Sequence, residues 1–218
     1  MFIFSKYLTE YHVPADWIRD AWISPGNAPD PLSYLRDRAN SEGLNFDGIA
    51  IDFVSRTAVL DYEHAEWYRY YLDYYAEYYP GDDHRITSGI SSMGSQGWKS
   101  PSSTLLPERY GSNHLRLDRP AMAELRFEFE GEAFGSDGSE TQWHVRLTRQ
   151  LGDEMSYEDM ILENGVGVMI VSDLNSTETL IWNVMPSSET SGYEETFSYR
   201  YKASENPVAD EDSGERIK

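Results

Sequence analysis

The side chains best suited to chemistry in this sequence are its five histidines and 38 acidic residues, and their spacing limits what they can do. Zinc hydrolases place two ligand histidines one helical turn apart, and the histidines here lie too far apart in the chain for that pattern. The nearest approach to a ligand cluster is Glu63-His64-Ala65-Glu66. Neighbouring side chains on a helix point in different directions, so this segment predicts a solvated helix face.

Nucleophilic and glycosidic chemistry have no complete motif either. The Gly-x-Ser-x-Gly turn that presents a nucleophilic serine is absent, and Ser92-Met93-Gly94-Ser95 has only the composition of a connector. A Ser/His/Asp triad assembled from distant residues stays open. Paired carboxylates serve glycosidases, but among so many acidic residues chance pairs are expected and carry no signal. We therefore assign no catalytic, cofactor-binding or metal-binding residue.

Calcium is a better candidate than zinc, because oxygen-rich loops are present. Asp137, Ser139 and Glu140 share one loop, and Asp82-Asp83 lie in another. Neither loop has the twelve-residue spacing of an EF-hand. Plain acidic loops are the simpler interpretation.

A carbohydrate platform would need exposed aromatic side chains, and the second half of the chain offers Trp98, Trp143 and Trp182. Trp143 and Trp182 alternate with apolar neighbours, which predicts that they lie in the core. Asn175-Ser176-Thr177 is a glycosylation sequon in a predicted turn, relevant only in a glycosylating secretory route.

The composition excludes several classes of function. The formal charge of −20 and the absence of Lys/Arg clusters argue against nucleic acid and anionic membranes as partners. No apolar run is long enough to cross a membrane, and the absence of cysteine excludes disulfides and thiolate metal sites. Few lysines beside many acidic residues suit a salty habitat, and a genome that favours arginine codons explains them equally well.

The elements that would position any site change character along the chain. Residues 1–80 predict a helical region, with Pro14, Asp30-Pro31 and Asn45 marking helix starts and Gly43 a helix end. Asp61–Tyr79 is rich in tyrosine and uninterrupted by glycine or proline, which predicts an aromatic helix with two apolar faces. Residues 81–105 are rich in Gly, Ser, Asp and Pro and predict an irregular connector with Trp98 as an anchor.

From residue 106 the hydrophobic period becomes two, which predicts half-buried strands. Residues 131–139 form a loop of hairpin length, Val166–Val171 reads as a central strand, and Pro186 should end the strand that begins at Thr179. The fold class is therefore α+β, a helical N-terminal region followed by an antiparallel, jelly-roll-like β-sandwich over residues 106–204. Residues 205–218 predict a disordered tail.

The order of three segments resembles part of a known family. They are Phe4-Ser5-Lys6-Tyr7-Leu8-Thr9-Glu10-Tyr11, Trp17-Ile18-Arg19-Asp20-Ala21-Trp22 and Phe46-Asp47-Gly48-Ile49-Ala50-Ile51-Asp52-Phe53. With the start of the sandwich, Pro107-Glu108-Arg109-Tyr110-Gly111-Ser112-Asn113-His114-Leu115-Arg116-Leu117, they resemble the region that follows the zinc helix in secreted, gluzincin-type zinc-metallopeptidase-like proteins. The family's His-Glu-x-x-His motif is absent, so no residue inherits a catalytic role.

This resemblance implies an extracellular protein and a chain that is the C-terminal piece of a longer one. The leading hypothesis is a non-catalytic accessory portion that binds a protein or glycan ligand. The alternatives are a free-standing carbohydrate- or calcium-binding module and a hydrolase with scattered catalytic residues.

Overall fold

The computed structural model describes residues 2–23, 26, 28, 30–70, 88–89, 97–118, 120, 122–135, 138–188 and 195–205. It has an α+β fold in which N-terminal helices precede a sandwich of two sheets, as predicted. None of the helices in this described part combines the length and apolar character that a membrane crossing requires.

In the described part of the chain, the N-terminal layer contains four helices and a further helical stretch over residues 65–70, and local signals in the sequence fix several of their ends. Asp30 accepts a hydrogen bond from the Ser33 amide (2.7 Å) and Asn45 accepts one from the Gly48 amide (3.0 Å), so both predicted N-caps are confirmed. Gly43, just after the third helix, has the positive φ of 78° that glycine tolerates. The helices are α1 (Phe2–Tyr11), α2 (Ala15–Ile23), α3 (Pro31–Ser41) and α4 (Phe46–Val59).

The predicted aromatic helix begins later than expected. Leu60 adopts a left-handed conformation (φ 58°) that ends α4, and the helical residues after it are 65–70. The prediction that the helix starts at Asp61 is therefore wrong, and residues 71–79 lie outside the described part. Within that part, Tyr68 is buried and stacks on Tyr62 with ring centroids 3.9 Å apart.

In the described residues, nine strands form two sheets. The first sheet has the order β1-β2-β8-β4-β5 and the second the order β6-β7-β3-β9. Neighbouring strands are antiparallel, except that β1 runs parallel to β2. The strands are β1 (Ser88–Gly89), β2 (Asn113–Asp118), β3 (Leu125–Gly131), β4 (Thr141–Leu151), β5 (Glu154–Asp159), β6 (Leu162–Glu163), β7 (Val166–Val171), β8 (Thr179–Ser188) and β9 (Tyr199–Glu205).

The loop between β3 and β4 closes as a short hairpin, as its length predicts: Phe134 and Glu140 form an antiparallel bridge, and the Gly135 amide donates to the Ser139 carbonyl at 2.8 Å. The two strands that it joins belong to different sheets, β3 to the second and β4 to the first. Gly131 lies at the start of this connection, where a Cβ atom would stand 2.3 Å from the Trp143 indole nitrogen. Only glycine allows the chain to pass the tryptophan so closely.

Two strand predictions are corrected. β7 has a strand on either side, β3 and the two-residue β6, but it is not buried on both faces as the apolar run predicts, because Val166, Val168 and Ile170 are exposed. Pro186 does not end β8, which continues to Ser188. The Pro186 carbonyl accepts a hydrogen bond from the Tyr110 amide (2.9 Å), so the missing N–H faces that side of the strand and leaves the ladder with β4 intact.

The main core fills the space between the sheets. Trp143 and Trp182 are both buried there, as predicted, and Trp182 stacks on Phe127 at 4.4 Å. The helices have a core of their own, built around Tyr7, Leu8 and Phe46. A small third cluster of Ala50, Ile51, Val54 and Met185 joins α4 to β8, so the molecule has three layers.

Candidate functional site

The seam between α4 and the first sheet brings together several partly buried charged side chains, among them Asp47, Asp52 and Arg146. One side of α4 carries Ile51 and Val54, which pack on Met185 of β8. The polar residues that flank this apolar contact, Asp47 and Asp52, sit one and a half turns apart on the same helix and face β4 and β8. The seam therefore has an apolar centre with a carboxylate cluster on either side.

Asp52 is the centre of the first cluster. It accepts hydrogen bonds from the Tyr7 hydroxyl (2.5 Å), Arg56 Nε (2.8 Å) and Arg146 Nη1 (3.0 Å). Arg146 also binds Asp159 at 2.6 and 2.9 Å. Burial opposes ionisation of Asp52, but the hydrogen bonds from Tyr7 and Arg56 and the charge of both arginines outweigh it and hold the pKa of the carboxyl below its usual value.

The same cluster raises the pKa of its phenols. Burial, followed by the neighbouring Asp52 carboxylate, raises the pKa of Tyr7 well above its usual value. Burial and the Asp61 carboxylate do the same to the pKa of Tyr157, which donates to Asp61 at 2.5 Å. The cluster joins α1 and α4 to β4 and β5. At its edge His12 Nε2 lies 2.9 Å from the Tyr7 hydroxyl, and burial lowers the pKa of this histidine.

Asp47 is the centre of the second cluster. Its Oδ1 accepts from the Tyr110 hydroxyl (2.8 Å), its Oδ2 accepts from Ser187 Oγ (3.1 Å), and His144 Nε2 lies 3.5 Å from Oδ2. His144 Nε2 also lies 2.9 Å from Ser187 Oγ. Burial opposes ionisation, but hydrogen bonds from His144, Tyr110 and Ser187 outweigh it and lower the pKa of Asp47.

Serine, histidine and aspartate thus meet here, but not in the geometry of a catalytic triad. In a triad the carboxylate binds the histidine nitrogen remote from the serine. Here Asp47 lies near the same Nε2 that faces Ser187. When Ser187 donates its one proton to Asp47 at 3.1 Å, His144 Nε2 can bind the serine oxygen only as a donor. A histidine that donates to the serine oxygen does not activate it as a nucleophile.

A cleft opens beside the Asp47 cluster, and we call it the seam cleft. It has a volume of about 280 Å³. Its walls come from α3, α4, β8 and the strand entering β4, and hydrogen-bonding side chains dominate them. The lining residues are Arg36, Asp37, Asn40, Asp47, Tyr110, Glu140, Gln142, Ser187 and Ser188.

Some of the side chains that line the cleft are hydrogen-bonded to one another, and others have no such bond within the described part of the chain. Asp47, Tyr110 and Ser187 hold one another, and Arg36 binds Asp37 at 3.0 Å. Asn40 and Gln142 have no side-chain hydrogen bond to any residue in the described part of the chain. These two amides each present a donor and an acceptor to the cleft.

The residues singled out from the sequence fall mostly elsewhere. In Glu63-His64-Ala65-Glu66, His64 and Glu66 are exposed and 3.9 Å apart, as a solvated surface requires. Trp98 is 40% exposed and lies 4.7 Å from the Arg200 guanidinium, remote from the seam cleft. Asn175 accepts hydrogen bonds from the Thr177 amide and hydroxyl, which confirms the turn.

The calcium candidates are only partly visible. Asp82, Asp83 and Asp137 lie outside the described residues. Ser139 pairs with Ser188 (3.2 Å), and Glu140 lines the seam cleft. Among the residues that the structure describes, no three His, Asp or Glu side chains come close enough together to hold one metal ion.

The fold and the seam define a class: an α+β protein whose helical layer rests on one sheet of a β-sandwich, with a polar cleft where the layers part. No protein-family model matches this chain, and a search of curated proteins finds no match.

Proposed function

We propose that the chain is a non-catalytic binding module that holds a hydroxyl-rich small molecule, such as a single sugar unit, in the seam cleft. The observation that carries the proposal is the lining, in which amide, carboxylate, guanidinium and hydroxyl groups from several elements converge on one cleft. Such groups match the paired donor and acceptor character of sugar hydroxyls.

The size of the cleft supports a small ligand. About 280 Å³ lies at the lower end of the range of ligand sites, roughly 300–1,000 Å³. A single ring with its hydroxyls fits such a volume better than a chain of rings. A glycan would therefore be recognised by one terminal or branching unit.

The arrangement favours a sugar over the calcium alternative. Asp37, Asp47 and Glu140 all line the cleft, but Arg36 occupies the same wall and neutralises Asp37. Calcium requires six to eight oxygen ligands around one point. A ring of spaced donors and acceptors suits a hydroxylated ligand instead.

The test is a binding screen with defined sugars. Glucose, galactose, mannose, N-acetylglucosamine and their disaccharides are titrated into the full chain by isothermal calorimetry. We expect at least one to bind, and Gln142→Ala to weaken it about threefold to tenfold, the effect of one lost hydrogen bond. Gln150→Ala, the same change at the far end of β4, is the matched control and should leave the affinity unchanged. A screen without binding, or binding indifferent to Gln142→Ala, contradicts the proposal.

A hydrolase is the second candidate function, favoured by one distance. Ser187 Oγ lies 2.9 Å from His144 Nε2 at the wall of the cleft. The donor arrangement around Asp47 argues against activation of that serine, so we expect p-nitrophenyl acetate to be hydrolysed at the same rate by the wild-type protein and Ser187→Ala. Turnover that disappears in Ser187→Ala and survives in Ser188→Ala would replace the binding proposal with an esterase.

The proposal about the larger protein to which this chain would belong rests on the sequence resemblance alone. We infer that the module is the accessory portion of a secreted, metallopeptidase-like protein, where it would orient a glycan or glycoprotein for a partner domain. A His-Glu-x-x-His helix encoded in the same reading frame would support this setting, and a different upstream domain would contradict it.

A further inference from the structure

The charges that line the seam cleft do not balance. Among the described residues of its lining, Asp37, Asp47 and Glu140 carry carboxylates, and Arg36 carries a guanidinium. Arg36 binds Asp37 at 3.0 Å, so the charges of these two side chains largely cancel. The carboxylates of Asp47 and Glu140 therefore set the electrostatic character of a cavity of about 280 Å³.

Neutral groups hold Asp47 for the most part. Tyr110 donates a hydrogen bond to one carboxylate oxygen (2.8 Å) and Ser187 donates one to the other (3.1 Å), and both donors are uncharged hydroxyls. His144 Nε2 lies 3.5 Å from the carboxylate and is a cation only when it is protonated. Burial opposes ionisation, but the hydrogen bonds keep the pKa of Asp47 below its usual value, so the carboxylate is ionised at neutral pH.

Glu140 enters the cleft from the residue that precedes β4. Within the described part of the chain, its carboxylate makes no hydrogen bond or ion pair. The oxygens of Glu140 can therefore accept hydrogen bonds from a ligand without giving up a partner in that part of the protein.

We propose that the ligand of the seam cleft is an amino sugar, with its protonated amine drawn to the carboxylates of Asp47 and Glu140 and its hydroxyls bonded to the amides of Asn40 and Gln142. This assignment rests on the proposed function, because it names the class of ligand for the same cleft. An ammonium group has three N–H donors and no acceptor, which complements carboxylate oxygens. Hydrogen bonds between charged partners are also stronger than those between neutral ones.

Other charged ligands fit the cleft less well. A metal ion needs several ligands around one point, and in the described residues no three His, Asp or Glu side chains come close enough together. A sugar acid would bring a further negative charge to Asp47 and Glu140 and would be repelled. The net charge of −20 acts in the same direction, because it favours the approach of a cation.

The first experiment compares matched sugars by isothermal calorimetry with the full chain at neutral pH and low salt. The pairs are glucosamine with glucose, galactosamine with galactose and mannosamine with mannose. In at least one pair we expect the amino sugar to bind about fivefold to tenfold more tightly, and its N-acetyl derivative, which keeps the nitrogen without the charge, to lose this advantage. Equal affinities within every pair overturn the assignment and leave the proposed function standing, whereas a chain that binds none of the sugars overturns both.

A charge-neutral variant locates the preference. Glu140→Gln keeps the shape of an exposed side chain and removes its charge, so the ratio of amino-sugar affinity to parent-sugar affinity should fall at least about threefold. Glu154→Gln is the matched control, because Glu154 is also exposed and pairs with Leu151 at the far end of β4. The ratio should stay at its wild-type value in this control. A ratio that Glu140→Gln leaves unchanged overturns the assignment.

The amine also gives the binding a pH signature. As the pH rises from neutral through the pKa of the sugar amine, the ligand loses its charge, and its affinity should fall toward that of the parent sugar. Burial and the Asp47 carboxylate raise the pKa of Tyr110, and the hydrogen bond and charge of Asp37 outweigh burial to raise the pKa of Arg36, so neither group titrates in this range. His144 can only lose positive charge as the pH rises, which would strengthen the binding of a cation. An amino-sugar affinity that does not fall with rising pH overturns the assignment.

Discussion

The two outer faces of the sandwich carry the same kinds of side chain in different surroundings. On the first sheet, Arg146 lies under α4 with its side chain 14% exposed and binds Asp52 and Asp159. On the second sheet, Arg200 binds Glu130 at 2.5 Å with both side chains about half exposed. Both pairs follow the same alternation along a strand, and only the first is covered by another layer.

The same arrangement of charged residues along a strand can therefore contribute very different amounts to the free energy of unfolding, depending on whether another layer covers it. A covered ion pair has lost most of its water, so removing one partner leaves the other charge poorly solvated. An exposed pair exchanges its partner for water at little cost. Substitution of the seam carboxylates, or a fall in pH, should therefore lower the stability of the protein strongly. Substitution of the exposed Arg200–Glu130 pair on the second sheet should lower it only weakly.

The largest expected effect is that of Asp52→Ala. The change leaves Arg146 with Asp159 and Arg56 with Asp61, but removes the acceptor of the Tyr7 hydroxyl and the one group that joins all three. We expect a loss of about 2–3 kcal/mol in the free energy of unfolding, below the value for a fully buried pair because Asp52 is partly exposed. Urea denaturation followed by far-UV circular dichroism measures it.

The control for this prediction lies on the same protein. Asp118→Ala removes a carboxylate that binds Arg116 and Thr179 on an exposed strand end, and should cost far less. Equal losses of unfolding free energy in the two variants would show that cover by α4 does not increase the contribution of Asp52.

The next effect is acid sensitivity. The folded pKa values of Asp47 and Asp52 lie below their ordinary value of 3.8. The unfolded chain therefore takes up protons at these sites before the folded protein does. Their contribution is complete above pH 3.8 and is lost as the pH falls through the lower folded values. Stability measured by urea denaturation should fall between pH 5 and the acid limit of the fold, and this part of the fall should be smaller in Asp52→Asn. An identical pH profile in the variant would exclude Asp52 as a source.

Much of the fold was predictable because its signals are local. Asp30, Gly43 and Asn45 act on backbone groups within a few residues, and strand alternation in Phe127 and Phe129 or Trp143 and Val145 reports burial directly. The position of β7 was not predictable in this way. An apolar run of this kind is expected for a strand buried on both faces, and only the folded arrangement shows that one face of β7 is exposed.

The candidate site could not be predicted from local sequence patterns either, because it depends on how distant elements pack. Asp47, Tyr110, His144 and Ser187 come from four separate elements, and no short spacing links them. Asp47 lies at a polar position of the helical pattern of α4, and His144 lies where strand alternation in β4 predicts a polar residue, so both are expected on an ordinary surface. The cover that α4 provides turns those polar residues into a buried cluster, and the contact between α4 and the sheet joins residues about a hundred positions apart.

The smallest expected effect completes the comparison on the second sheet. Glu130→Ala removes the partner of Arg200, whose guanidinium keeps its contact with the Trp98 ring at 4.7 Å. Because both members of the pair are exposed, we expect a loss of no more than about 0.5 kcal/mol at low salt, shrinking as sodium chloride screens the pair. Parallel urea titrations at low and high salt measure it. If Glu130→Ala instead cost as much as Asp52→Ala, cover by another layer would not be what separates the two ion pairs.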